Sequence, residues 1–285
     1  MAVLLLSLSS AFFVGLSNVL IRKGLDRGTK IQAIFISLLT STSLFWILAA
    51  LFVDRYLFLA PAVFLFFIAG IFGQGIGRTL NITSLERIGV ARTIPLTGIA
   101  PFFATLGAIL FLGEKFSLPI FGGIILIIFG IYVLSRVRNG DGKVFEKRDL
   151  ILPLGSAFFG GISLTVSKKA LIETGEPLLG ATLAGTAALL MVFVSMLWGK
   201  HFRQLPLAPG GIKLFILAGL SMAAAFLLNF SALKIGDVSI VAPVFSTFPL
   251  FGVLLSHLLL KEQITGRTWL GAIIIMLGIM VIHIF

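Results

Sequence analysis

Asn18, Gln74, Asn81 and Asn229 each interrupt a long apolar run, and Arg78 is the only basic residue well inside one. An amide or guanidinium turned uncompensated toward hydrocarbon costs several kcal/mol. Side chains of these types persist in such runs where they face protein, water or a bound solute. The chemistry they offer is recognition, since amides donate and accept while a guanidinium attracts anions. Arg92, near the start of the next run, would share one mouth with Arg78, and together they would hold a carboxylate or phosphate. Snorkelling toward headgroups is the competing use of Arg78.

Groups for other chemistry are missing. All eleven Asp and Glu lie in connections or at run ends, His201, His257 and His283 are scattered, and there is no cysteine. Proton coupling through a buried carboxylate has no carrier, and a thiolate metal site or cysteine nucleophile is excluded. No Walker, Rossmann, EF-hand or HExxH pattern occurs. The expectation is a protein without catalytic residues, metal or cofactor.

Small and polar residues recur at helical spacing. Ser156, Gly160, Ser163 and Ser167 form one stripe, echoed by Ser10 and Ser17, and Gly70, Gln74, Gly77 and Asn81 form another. Such a stripe serves close helix packing or lines a cavity. Pro95 and Pro101 lie in IPLTGIAPF, Pro243 and Pro249 in APVFSTFPL. Each removes a helical hydrogen bond, so the helix kinks or unwinds there. Thr97, Ser246 and Thr247 sit beside these prolines and would line a solute path if the helix opens.

The elements that carry these residues are membrane spans. Hydrophobic residues make up 58% of the 285, only 12% are charged, and mean hydropathy is +1.13. Apolar runs of about twenty residues, enough to cross roughly 30 Å of hydrocarbon, recur along the chain. Ten spans are predicted, over 2–21, 32–53, 61–83, 90–112, 118–135, 151–168, 177–198, 211–233, 238–260 and 267–284. The net charge of +11 resides in short connections, where it sets topology and does not imply nucleic acid. The first run lacks a basic leader and has a counterpart in mid-chain, which argues against a cleaved signal.

The chain is a duplication. LSSAFFVGLSNVLIRKGL (8–25) and LGSAFFGGISLTVSKKAL (154–171) share nine of eighteen residues at a shift of 146. At a shift of 148, Asn81 matches Asn229, Pro95 matches Pro243, Glu114 matches Glu262, and Gly123 and Gly130 match Gly271 and Gly278. The units are 1–136 and 150–285, joined by the polar connection 137–149. Five spans per unit is odd, so the copies enter from opposite sides as a 5+5 inverted-topology repeat of an all-α polytopic protein. Alternate connections hold sixteen Lys and Arg against five on the other side. The positive-inside rule puts both termini outside, in a plasma (inner) membrane. Glu114 and Glu262, at span ends, are expected to hold the turn or pair with nearby basic residues.

The paired AFFxGxS segments, the turns SLERIGVA (84–91) and ALKIGDVS (232–239), the endings FLGEK (111–115) and LLKEQ (259–263), and the glycine-rich last spans carry a resemblance. Together they resemble the drug/metabolite transporter superfamily, EamA type, over essentially the whole chain. The resemblance implies a secondary transporter or exporter moving a small organic metabolite through a central cavity. Its partners would be that solute and the lipid bilayer. Gly123, Gly130, Gly271 and Gly278 suit either an internal contact in a monomer or a homodimer through spans 5 and 10. A lipid or headgroup flippase of the same superfamily, or a membrane-embedded enzyme, are the alternative readings.

The orientation has a direct check, on a natural background free of cysteine. Asp26→Cys and Asp141→Cys are expected to resist impermeant thiol reagents added outside intact cells and to react once the membrane is opened. Labelling of both from outside reverses the topology.

Overall fold

The computed structural model describes residues 1–54, 62–88, 96–115, 117–135, 147–198, 209–260 and 266–284. Among them there is no β-strand. The first half runs α1 (Ala2–Leu25), α2 (Lys30–Phe52), α3 (Val63–Gly70), a π-helical segment (Ile71–Gly77), α4 (Arg78–Ile88), α5 (Ala100–Leu112) and α6 (Leu118–Ser135). After a 3-10 turn (Lys147–Leu150), the second half runs α7 (Ile151–Thr174), α8 (Pro177–Trp198), α9 (Pro209–Ile235), α10 (Val238–Phe245), α11 (Phe248–Leu260) and α12 (Gly266–Ile284). Seven helical stretches among the described residues are long and apolar enough to cross a membrane. Leu51, Phe52, Phe64, Leu110, Phe111 and Trp198 are exposed, as lipid-facing side chains are. The chain is an integral multi-pass membrane protein.

Helix ends follow local chemistry. Thr29 starts α2 through a capping box: its hydroxyl accepts from the Gln32 amide at 3.3 Å, and Gln32 Oε1 accepts from the Thr29 amide at 2.9 Å. Gly113 and Gly175 close α5 and α7 in the left-handed conformation, at φ 69° and 63°. The span expected over 61–83 continues as helix to Ile88, and its middle is the π segment. The span expected over 238–260 is two helices, broken at Ser246 and Thr247 as its prolines foretold.

The halves interlock by exchange. Helix α1 packs along α9 and α11 of the second half, and α7 packs along α3, the π segment and α5 of the first. Glycines make the exchange possible. A methyl on Gly15 would approach Gly252 N to 2.8 Å and Phe251 Cβ to 2.9 Å. A methyl on Gly161 would approach Ala104 N and Phe103 Cβ to 2.8 Å each. These are the same contacts at the repeat shift. Gly130 abuts Gly271 O and Ile275, while Gly278 abuts Gly123 O and Ile127, so α6 and α12 seam together within one chain.

Hydroxyls tie the same pairs. Ser17 Oγ donates to Ala218 O at 2.9 Å, Ser10 Oγ to Ala225 O at 2.7 Å, and Ser221 Oγ to Phe13 O at 2.8 Å, all between α1 and α9. Between α7 and α3, Ser163 Oγ donates to Ala69 O at 2.8 Å. Ser17 and Ser163 are repeat mates, but their acceptors, Ala69 and Ala218, differ by 149 where Asn81 and Asn229 differ by 148. The first half therefore carries one extra residue between 69 and 81, and the π segment is where the helix widens to hold it.

Gly161→Ala is expected to lower stability by about 1–3 kcal/mol through overpacking against the α5 backbone. Gly122→Ala, where a methyl meets nothing within 4 Å, is expected to be neutral or stabilising. Thermal unfolding in detergent compares the two. Equal behaviour would mean that the α5–α7 approach is not tight.

Candidate solute-binding site

Helix breaks position the site. In α10, Pro243 offers no N–H to the carbonyl of Ser239, and Pro249, second in α11, offers none to Phe245. Between them the chain steps through a tight turn: Thr247 N donates to Val244 O at 3.1 Å and Leu250 N to Thr247 O at 2.9 Å. The first half repeats this step, with Ile99 N to Leu96 O at 3.4 Å and Phe102 N to Ile99 O at 3.0 Å. Pro101, in the first turn of α5, sits where a missing N–H costs nothing. Helices α5 and α11 thus each begin directly after a break, presenting the positive end of the helix dipole there. Arg92 and Pro95 lie outside the described residues.

Both ends of the short α9–α10 connection are neutralised in trans. Lys168 Nζ donates to Leu233 O at 2.7 Å and Gly236 O at 2.8 Å, capping the carbonyl end of α9. Glu114, past the end of α5, accepts from Val238 N at 2.8 Å, Ser239 N at 3.0 Å and Ser239 Oγ at 2.7 Å. A cation on a helix C-terminus and an anion on an N-terminus are each favourable. Glu114 holds the turn, as its position suggested, although the turn belongs to the other half.

Gln74 stands near the middle of the α3–π–α4 stretch, 3% exposed. One residue earlier, Gly73 abuts Ser163 of α7, and one residue later, Gly75 abuts Met191 of α8. Neither Gln74 Oε1 nor Nε2 has a hydrogen-bond partner. Asn229, also 3% exposed, has an unpartnered Oδ1. It continues the α1–α9 ladder one turn past Ala225, toward the end of α1 that carries Ser7, whose hydroxyl is likewise buried and unpartnered. Arg78 turns inward: Nη2 donates to Ser37 Oγ of α2 at 2.9 Å, and Nη1 is buried without a partner. Ser37 in turn abuts Gly219 of α9, so this arginine reaches the region between the halves. Burying polar atoms unpaired costs about 1–3 kcal/mol each. A folded chain retains that cost where a mobile ligand or water meets them.

The other expected residues divide. Ser163 is spent on packing through its bond to Ala69, and Thr247 bonds its own Val244 O at 2.7 Å. Asn18, Asn81 and Thr97 are half-buried, while Ser246 is buried at the α10 break. Asn81 and Asn229 occupy equivalent places in opposite halves, so they do not converge on one point. The caps made by Glu114 and Lys168 across the halves had only a partial signal, the charges at repeat-related span ends. The π segment had a clearer one in the three glycines of IFGQGIG. Among the described residues no group of three or more His, Asp or Glu could hold a metal. A cleft of about 260 Å3 between α5 and α6, lined by Phe102, Leu106, Ile109, Ile120 and Phe121, is almost wholly apolar and separate from Gln74.

Gln74→Leu is expected to raise thermal stability by removing an unpaired buried amide while reducing transport at least tenfold. Lower stability together with retained transport would mean that the amide is a structural element.

The comparisons agree on one assignment. A model of the EamA-like transporter family matches residues 1–136 and again 148–284. An uncharacterized transporter of Archaeoglobus fulgidus is 22% identical over 281 residues, spanning 98% of this chain and 97% of its own. An uncharacterized transporter from the cobO 3' region of a Sinorhizobium species is 30% identical over 132 residues, 46% of this chain and 92% of its own. A solved crystal structure, 16% identical, superposes with a TM-score of 0.80 over 98% of this chain and 95% of its own, a likeness of fold. With the apolar helices and the duplicated match, the conclusion is plain: this chain belongs to the EamA-like transporter family, within the drug/metabolite transporter superfamily.

Proposed function

We propose that this protein is a secondary transporter that moves a small organic metabolite by alternating access, without ATP. The observation that carries the reading is Gln74: a buried amide with both ends unpartnered, midway along its span and between helices of the opposite half. A purely structural amide would be paired, whereas one serving a transient solute is left open in the resting protein. The broken helices fit the same reading, since half-helix ends near mid-span are how many carriers meet polar solutes.

Ten spans in a 5+5 inverted repeat, with units 1–136 and 150–285, supply the motion. Contacts that interchange when the halves interchange give two closely similar arrangements, and rocking between them opens one mouth while closing the other. In this scheme Asn81 and Asn229 lie toward opposite mouths, with Asn18, Thr97, Ser246 and Thr247 nearer the path. Both termini face outside a plasma membrane. The glycine seam of α6 and α12 serves a monomer, and a homodimer would use the outer faces of the same helices.

Two measurements test this. Proteoliposomes loaded with a metabolite extract and no nucleotide are expected to lose one class of small solute faster with the wild-type protein than with Gln74→Leu. Thiol labelling of Asn81→Cys and Asn229→Cys is expected to change in opposite senses when the extract is moved from inside to outside. No differential loss together with parallel labelling would sink the carrier reading.

A further inference from the structure

The repeat allows residues of the interior to be compared with their mates, and one crossing differs in bulk between the halves. Where α1, α9 and the α10–α11 break meet, the second half's crossing is filled: Val14 and Met222 are buried, with Phe226, Phe245 and Phe248 packed against them. At the shifts of 146 and 148, the mates of these five are Gly160, Gln74, Arg78, Thr97 and Ala100. The first half's crossing, where α7, the π segment and the α5 break meet, therefore carries small or polar groups at these five positions, while Phe13 of the same cluster keeps a bulky mate in Phe159. The difference is visible in space, since a methyl added to Gly160 would meet nothing within 4 Å. Two of the five first-half residues, Gln74 and Arg78, bring buried polar atoms with no partner. The Phe72 and Phe159 rings, 5.5 Å apart, supply an aromatic flank on the π segment and α7.

We propose that the solute pocket of this carrier is single and off-centre, at the first half's crossing, and that it takes a small organic carboxylate with an apolar body. The equivalent volume in the second half is permanently filled by side chains. Arg78 meets the carboxylate through Nη1, which Ser37 leaves unengaged. Gln74 bonds a polar oxygen beside it, and the body lies toward Phe72 and Phe159. A zwitterion fits less well, because all eleven acidic residues lie in connections or at span ends, leaving an ammonium no buried counter-charge. Gln74 lies within the π segment and Arg78 directly after it, where the first half carries its extra residue. The proposal rests on the carrier reading above for its role in transport, though the pocket stands or falls by binding alone.

The test uses the full chain in detergent, titrated with phenylacetate, phenylacetamide, acetate and phenylalanine by thermal shift and calorimetry. Phenylacetate is expected to bind saturably and at least tenfold more tightly than the other three. Arg78→Gln is expected to erase the preference for phenylacetate over its amide. Gly160→Val, which copies the plug of the second half, is expected to weaken phenylacetate at least tenfold, whereas Val14→Ala leaves binding within twofold. No saturable response to phenylacetate, equal affinity for the amide, or wild-type binding by Gly160→Val overturns the proposal. Opposed labelling of Asn81→Cys and Asn229→Cys surviving that failure would leave the carrier reading standing while the pocket falls.

Discussion

In a hydrocarbon surround, a backbone or side-chain polar group has no water to fall back on, and this constraint governs the whole molecule. Helices satisfy most of their own backbone, but span ends, broken helices and mid-span amides remain. The protein meets several of these needs across its two halves. Hydroxyls of α1 and α7 donate to carbonyls of the opposite half, Lys168 caps α9, and Glu114 caps α10 from beyond α5. The interface between the repeats is thereby a hydrogen-bonded structure as well as an apolar one.

Close approach is what makes those bonds reachable. A serine hydroxyl is short, and it meets a neighbouring helix carbonyl at 2.7–2.9 Å only if the helix axes draw together. Glycines at Gly15, Gly70, Gly130, Gly161 and Gly278 permit this, each with a neighbour's atoms inside the volume a methyl would take. Dispersion and hydrogen bonding then act together, which matters where lipid removes most of the hydrophobic drive for helix association. The same economy explains why Gln74, Arg78 and Asn229 stand out. In an interior where most polar atoms are paired, these buried atoms have no partner.

Duplication explains the framework. Equivalent turns at 96–102 and 244–250, equivalent glycine contacts and an α6–α12 seam between mates all follow from two copies of one unit. The π segment does not, because only the first copy carries the extra residue. Polar and small residues then accumulate in that copy opposite bulky apolar mates. Symmetry supplies the shared scaffold, and the departures from it include Gln74 and Arg78 against Met222 and Phe226.

Much of this was legible in the residues alone. Apolar runs, the matched AFFxGxS segments and the prolines determined helices, duplication and the place of the break, because each is a local property of spacing or of a missing N–H. Gln74, Arg78 and Asn229 were conspicuous for the same reason: a polar group in an apolar run announces itself. Tertiary structure decided what a one-dimensional pattern cannot hold, namely which partner each group finds. The stripe holding Ser163 suited packing or a cavity alike, and its hydroxyl bonds Ala69 while the amide of Gln74 is left unpaired. Glu114 looked like a local turn residue and caps the opposite half. Pairing depends on distances between segments remote in sequence, set by packing the two halves together, and that is why the fold alone could sort spent polar groups from available ones.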